Sequence, residues 1–306
     1  MRHAYRLSTL KVVSDIELPE LMPWTGASDV SDEIFFRVGE IPAGLINADQ
    51  ANNGCEMPEE RRYLLTLGDN GKVLIENGRE IIIEPGLGAD LTETRAVIMG
   101  PIQAILWHQR GLVPLHASAI AVNGRAIALA GASGVGKSTL AAAFLKKGHA
   151  VLADDICIVD TSDDVSVLAS TPRLRLWRQT LDHLGISPDG LPRALSRSEK
   201  YLIEGYWASA ERQQLAAVML LSRGAYQEVA LRRLRGRNSF SSLQGVVHML
   251  GLARLLGLDA AIFTALGKMF SAGVEVWELS IPDDLVCLDH AVGKVSEVAR
   301  SYADEP

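Results

Sequence analysis

Gly131-Ala132-Ser133-Gly134-Val135-Gly136-Lys137-Ser138-Thr139 has the spacing G-x-x-x-x-G-K-[ST], the pattern of a phosphate-binding P-loop. The flanks suit it. Ala126-Ile127-Ala128-Leu129-Ala130 is a short apolar run that predicts a buried strand, and Leu140 to Lys147 predicts a helix that Gly148 could end. Strand, glycine loop and helix aim backbone N–H groups and a helix N-terminus at a phosphate. The glycines allow close approach and backbone conformations closed to residues with a Cβ. Lys137 is expected to reach the outer phosphates. The Ser138 hydroxyl is expected to hold magnesium, and the backbone from Gly131 to Thr139 to cradle the nucleotide.

The next apolar segment, His149-Ala150-Val151-Leu152-Ala153, runs into Asp154-Asp155. A strand ending in acidic residues is the usual second half of a nucleotide site. Two adjacent carboxylates offer two jobs, one near the metal and one that accepts a proton. Upstream, Leu115 to Val122 predicts a strand, and Asn123-Gly124 a hairpin turn into the loop strand.

Composition bounds the alternatives. The chain has 306 residues, 48% apolar and 22% charged, with net charge −7, which leaves room for two domains. The most basic run, Arg232 to Arg237, is short, so nucleic acid is not an expected partner. Cys55, Cys157 and Cys287 show no metal spacing, and Cys157 lies in an apolar run as expected of inert core. No apolar segment follows the N-terminus as a signal peptide would. None has the roughly 18 apolar residues of a membrane helix. The expectation is a cytoplasmic protein with no membrane partner.

Residues 1–92 predict a β-rich accessory domain. Glu33 to Val38 is a strand, and Tyr63–Leu67, Lys72–Glu76 and Arg79–Ile83 form a meander turned at Asp69-Asn70-Gly71 and Asn77-Gly78. Asn47 to Arg62 is expected to be a loop. Glu93 to Arg110 predicts a helix interrupted near Gly100-Pro101; the linker between domains is placed in or just before it, and the second domain at 93–306. Arg173 to Trp177 is a strand with alternating positive charge, followed by helix from Arg178 to Leu184. Leu215–Leu221 and Glu228–Leu234 are expected to pair. Helices are expected over 239–256 and 259–270, then a final strand at 274–281 and a helix over 284–302.

Together His116 in Leu115-His116-Ala117-Ser118, the glycine loop, the run Lys147 to Asp155 and Leu234-Arg235-Gly236-Arg237-Asn238 resemble the HPr kinase/phosphorylase family. The likeness is strongest from Leu112 to Asp160. It implies an α/β P-loop core of HPr-kinase type behind a smaller β-rich N-terminal domain. It implies an ATP- and magnesium-dependent serine kinase and a homo-oligomer. It also implies roles. Asp154 would be the general base, Asp155 would act on magnesium, and His116 would sit beside the phosphates and the acceptor. The family's acidic magnesium ligand, in a Glu-x-Arg-Gly segment, has no counterpart, because the matching region Arg173 to Trp177 is basic. The expectation is therefore a kinase rather than a phosphorylase. The layout looks most like kinases that phosphorylate a serine of a ribosomal precursor peptide, such as a lasso peptide. A small-molecule kinase and a nucleotide-binding regulator or ATPase are the alternatives.

Overall fold

Two compact units make up the chain: residues 1–112 with 248–262, and residues 113–247 with 263–306. The computed structural model describes residues 2–26, 32–42, 55–56, 61–89, 94–95, 97–170, 173–194, 199–204 and 212–302.

The first unit is built on an eight-stranded sheet. Its strands are β1 (His3–Leu7), β2 (Leu10–Ser14), β3 (Met22–Pro23), β4 (Glu33–Val38), β5 (Cys55–Glu56), β6 (Arg62–Thr66), β7 (Gly71–Glu76) and β8 (Glu80–Pro85). Their order is β3-β1-β2-β4-β8-β7-β6-β5. The expected meander is present as β6, β7 and β8, antiparallel throughout. Asn77 and Gly78 both take positive φ at its second turn, as a two-residue primed turn demands. Alternation along β2, β4 and β8 buries Val12, Ile34, Phe36, Ile81 and Ile83. Each such side chain contributes roughly 1.5–3 kcal/mol on leaving water. Most of the loop expected over 47–62 lies outside the described residues.

The expected domain boundary was 92/93, whereas the division falls at 112/113. The helix Gln103–Gln109 is buried along its whole length, so it serves as core of the first unit and not as a linker. Its Gln109 amide donates to the Arg61 carbonyl at 2.8 Å and accepts from the Gly78 N–H at 2.7 Å. His108 Nε2 lies 2.7 Å from the His248 carbonyl, and the helix Leu250–Leu255 belongs to the same unit. The expected interruption at Gly100-Pro101 appears as a π-turn over Ile98–Ile102, where proline supplies no N–H.

The second unit carries a mixed nine-stranded sheet of β9 (Val113–Leu115), β10 (Ala117–Val122), β11 (Arg125–Ala130), β12 (Ala150–Ala153), β13 (Cys157–Asp160), β14 (Ser166–Leu168), then β17 (Arg212–Gly224), β18 (Ala230–Arg233) and β19 (Glu275–Pro282). Between β14 and β17 a separate ribbon pairs β15 (Arg173–Trp177) with β16 (Lys200–Glu204). The Asn123-Gly124 turn joins β10 to β11 with both residues at positive φ. β17 and β18 do not pair with each other as expected. β19 lies beside both, parallel to β17 and antiparallel to β18. Sequence neighbours often pair, but the tertiary arrangement inserts the distant apolar strand here. The helical segment expected over 239–256 breaks after Gly236–Gly245, with Met249 in the left-handed region.

The helix that follows the glycine loop, Lys137–Lys146, buries Leu140, Ala141 and Phe144 against Ile127, Leu129 and Val292 in one apolar cluster. That packing fixes where the helix starts, and so where the loop sits. Cys157 is fully buried in β13, and burial pushes its thiol up to about 12, which makes it inert.

Candidate active site

The loop begins where β11 ends. Gly131 has φ 145°, and a Cβ there would lie 2.8 Å from the Leu221 carbonyl oxygen, so only glycine fits between the two strand ends. Gly134 and Gly136 also take positive φ, which turns successive N–H groups into the concavity that anions occupy. Lys137 opens the helix and folds back over the loop. Its ammonium donates to the carbonyls of Gly131 at 2.9 Å and Ala132 at 3.0 Å. It also lies 3.0 Å from His116 Nε2.

His116 occupies the bend between β9 and β10. Its N–H donates to the Val246 carbonyl at 2.8 Å, and Leu115 bridges Val247. That fixes the bend and turns the imidazole toward Lys137. Burial chiefly, and then the Lys137 ammonium, hold the imidazole below its usual pKa of 6.5, although Asp155 pulls the other way. The Lys137 contact needs Nε2 as an acceptor, hence a neutral ring with its proton on Nδ1. Nδ1 lies 3.5 Å from Asp155 Oδ1. Lys137 is itself lowered from its ordinary value, again chiefly by burial.

The two aspartates face different ways. Asp155 sits at φ 71°, the left-handed region that Asp tolerates better than most residues. The turn sends Asp154 toward the loop. Asp154 Oδ1 accepts from Ser138 Oγ at 2.8 Å and Ser118 Oγ at 2.6 Å, and Oδ2 accepts from the Arg175 N–H at 3.2 Å. Asp155 instead lines a cleft of about 470 Å³ together with His116, Lys137 and Ser138. Its Oδ2 meets Arg175 Nη1 at 3.5 Å.

The structure therefore gathers Lys137, Ser138, His116, Asp154 and Asp155 at one place. Sequence reasoning missed Ser118, Arg175, Lys200 and Arg223. Ser118 was within reach, because it closes the quoted run Leu115-His116-Ala117-Ser118. Arg175 was seen only as a basic residue where an acidic one was expected. Here it reaches both aspartates, one through its backbone and one through its side chain. Lys200 Nζ stands 5.0 Å over the Trp177 ring at the cleft's edge. Nothing in the sequence near Lys200 or Arg223 announced a site.

A divalent cation fits this donor set. Ser138 Oγ and Asp154 Oδ1 are neighbouring hard oxygens at the foot of the glycine cradle. Among the described residues no three His, Cys, Asp or Glu side chains form a metal cluster. Magnesium often binds this way, through one or two protein oxygens with phosphate oxygens completing the shell.

The arrangement defines a mixed-sheet protein whose cationic cleft surrounds a glycine loop and two carboxylates. Residues 112–186 match the HPr Serine kinase C-terminal domain model. The HPr kinase/phosphorylase of Lachnoclostridium phytofermentans is 31% identical over 115 residues, spanning 36% of this chain and 37% of that protein. The HPr(Ser) kinase/phosphatase from Coxiella burnetii aligns with 62% of this chain and 98% of its own at 9% identity and TM-score 0.32, a likeness too slight to carry an argument. The segment matched by the domain model holds the loop, His116 and both aspartates, and the chain spans little more than a third of the length of the Lachnoclostridium relative. No described helix is long and apolar enough to cross a membrane.

A pH dependence follows from His116. Its folded pKa lies below its unfolded value, so below pH 6.5 the unfolded chain binds a proton that the native site resists. That contribution to stability is whole above 6.5 and declines between 6.5 and the depressed native value. Protonation also removes the Nε2 acceptor from Lys137. An NMR titration of the His116 ring is expected to give a midpoint below 6.5, and His116→Gln to flatten the acid loss of melting temperature. A midpoint above 6.5 would contradict this assignment.

Proposed function

We propose that the second unit is an ATP-dependent kinase that transfers a phosphoryl group to a serine hydroxyl of a protein or precursor peptide, a lasso-peptide precursor being one such acceptor. The observation that carries this reading is the division of labour between the adjacent aspartates. Asp154 is held at the foot of the loop by the Ser138 and Ser118 hydroxyls. Asp155 faces the cleft between His116 and Arg175. This reverses the roles expected from the resemblance: Asp155 is the base, and Asp154 belongs to the metal side with Ser138.

Phosphoryl transfer asks for positioning and charge neutralisation more than for covalent chemistry. Lys137 and the loop N–H groups would hold the outer phosphates of ATP. Ser138 and Asp154 would hold magnesium, which when bound neutralises charge on the phosphate oxygens. Asp155 would accept the proton of the incoming serine hydroxyl as its oxygen bonds to the γ-phosphorus and the bond from that phosphorus to the β–γ bridging oxygen breaks, releasing ADP. Arg175, now on Asp155, is a cation placed to answer the negative charge that the γ-phosphate brings. Neutral His116 keeps Lys137 and Asp155 in register.

Incubation with ATP, magnesium and candidate precursor peptides, followed by mass spectrometry, is expected to show one added phosphate on serine. ATP hydrolysis that proceeds equally without any acceptor would favour an ATPase. Phosphate on a small hydroxylated metabolite alone would favour a small-molecule kinase.

A further inference from the structure

The cleft has a second wall that the transfer chemistry leaves unused. β11, which feeds the loop, has neighbours on both sides. On one side β10 and then β12 lead to Asp154 and Asp155. On the other β17 runs parallel to β11, and β19 runs parallel to β17. The C-terminal ends of β17 and β19 therefore emerge beside the loop on the side away from the aspartates. In open α/β sheets ligands lie outside those carboxyl ends. Arg223 stands at the end of β17 and Asp283 just beyond β19.

The Arg223 guanidinium lies along the loop. Its Nη1 is 3.6 Å from the position a Cβ on Gly136 would take. Its Nε lies 3.0 Å from Asp283 Oδ1, a side chain 79% exposed. Arg223, Asp284 and Leu285 line the same cleft of about 470 Å³ as the loop residues. A planar cation beside an apolar side chain on the wall of the cleft, tethered to an exposed carboxylate, is suited to a flat aromatic ring. Lys137, His116 and Asp155 mark the opposite, reacting end of the cleft.

We propose that Arg223 binds the nucleoside end of the nucleotide, its guanidinium stacked on the base and Leu285 packing beneath. The assignment rests on the nucleotide reading of the glycine loop given above. Arg223 thereby acts on affinity for the base and is not part of the phosphoryl-transfer machinery.

Calorimetric titration with magnesium–ATP and with inorganic tripolyphosphate, which carries the phosphates and no nucleoside, separates the two ends. Arg223→Ala is expected to weaken ATP binding about tenfold and to leave tripolyphosphate binding unchanged. Arg223→Gln, which keeps the chain length, is expected to behave alike and takes its place if the alanine variant does not fold. Equal weakening of both ligands, or no change in ATP affinity, would overturn the proposal. Lys137→Ala is the control for the underlying reading and is expected to weaken both ligands. If it changed neither, the nucleotide site would be wrong whatever Arg223 did.

Discussion

Asp155→Asn is expected to slow phosphoryl transfer by roughly 10²–10⁴-fold, the range of a positioned general base, with ATP affinity nearly unchanged. The reason is geometric. Among the described residues Asp155, unlike Asp154, which Ser138 binds, makes no hydrogen bond to the loop. Its contacts are His116 at 3.5 Å and Arg175 at 3.5 Å, so the nucleotide cradle survives the substitution. Asn keeps the shape and loses the proton acceptor. Asp154→Asn makes the contrast. That carboxylate takes hydrogen bonds from Ser118, Ser138 and the Arg175 backbone, so its loss should appear as a higher magnesium requirement and a lower melting temperature together with a slower rate. Rates at saturating ATP, with magnesium varied, distinguish the two. A purely catalytic loss in Asp154→Asn with unchanged rates in Asp155→Asn would restore the assignment the resemblance first implied.

The second large effect is expected at Lys137. Removing one preorganised donor from a charge-stabilising site costs roughly 10²–10³ in rate, and Lys137 also supplies affinity for ATP. Lys137→Met is therefore expected to lose transfer by at least that range and to bind ATP measurably more weakly. The fold should survive. Lys137 is only 7% exposed, and burial already disfavours its charged form. Met keeps the length of the apolar stem, so the loss is confined to the donor to the Gly131 and Ala132 carbonyls and to His116 Nε2, about 1–3 kcal/mol for a buried acceptor left unpaired. A modestly lowered melting temperature, with the chain still folded and transfer gone, is the expected pair of results. Retained transfer would show that the ammonium does not reach the phosphates.

Much of the site was legible because its motif is local. Nine consecutive residues from Gly131 to Thr139 specify loop and helix start, and the Asn123-Gly124 and Asn77-Gly78 turns are encoded by residues that tolerate positive φ. Apolar runs of the right length identified β10, β11, β12 and β19 one by one. Periodicity within a segment cannot say which segment pairs with which, so β19 between β17 and β18 was out of reach. The helix Gln103–Gln109 shows the same limit. Its sequence announces a helix, but only tertiary contacts decide that Gln109 bonds to Arg61 and Gly78, which makes the helix core and not linker.

The sequence by itself determined that the chain holds a glycine loop on a strand–helix junction, with Lys137, Ser138 and a pair of carboxylates in register. Tertiary structure decided which way each carboxylate points, because one residue at positive φ swings Asp155 away from Asp154. It also decided that Arg175 and Arg223 stand on opposite sides of the loop. Their places come from strands separated from Gly131 by tens of residues, and pairing over such distances is set by packing of whole sheets, which no local pattern records.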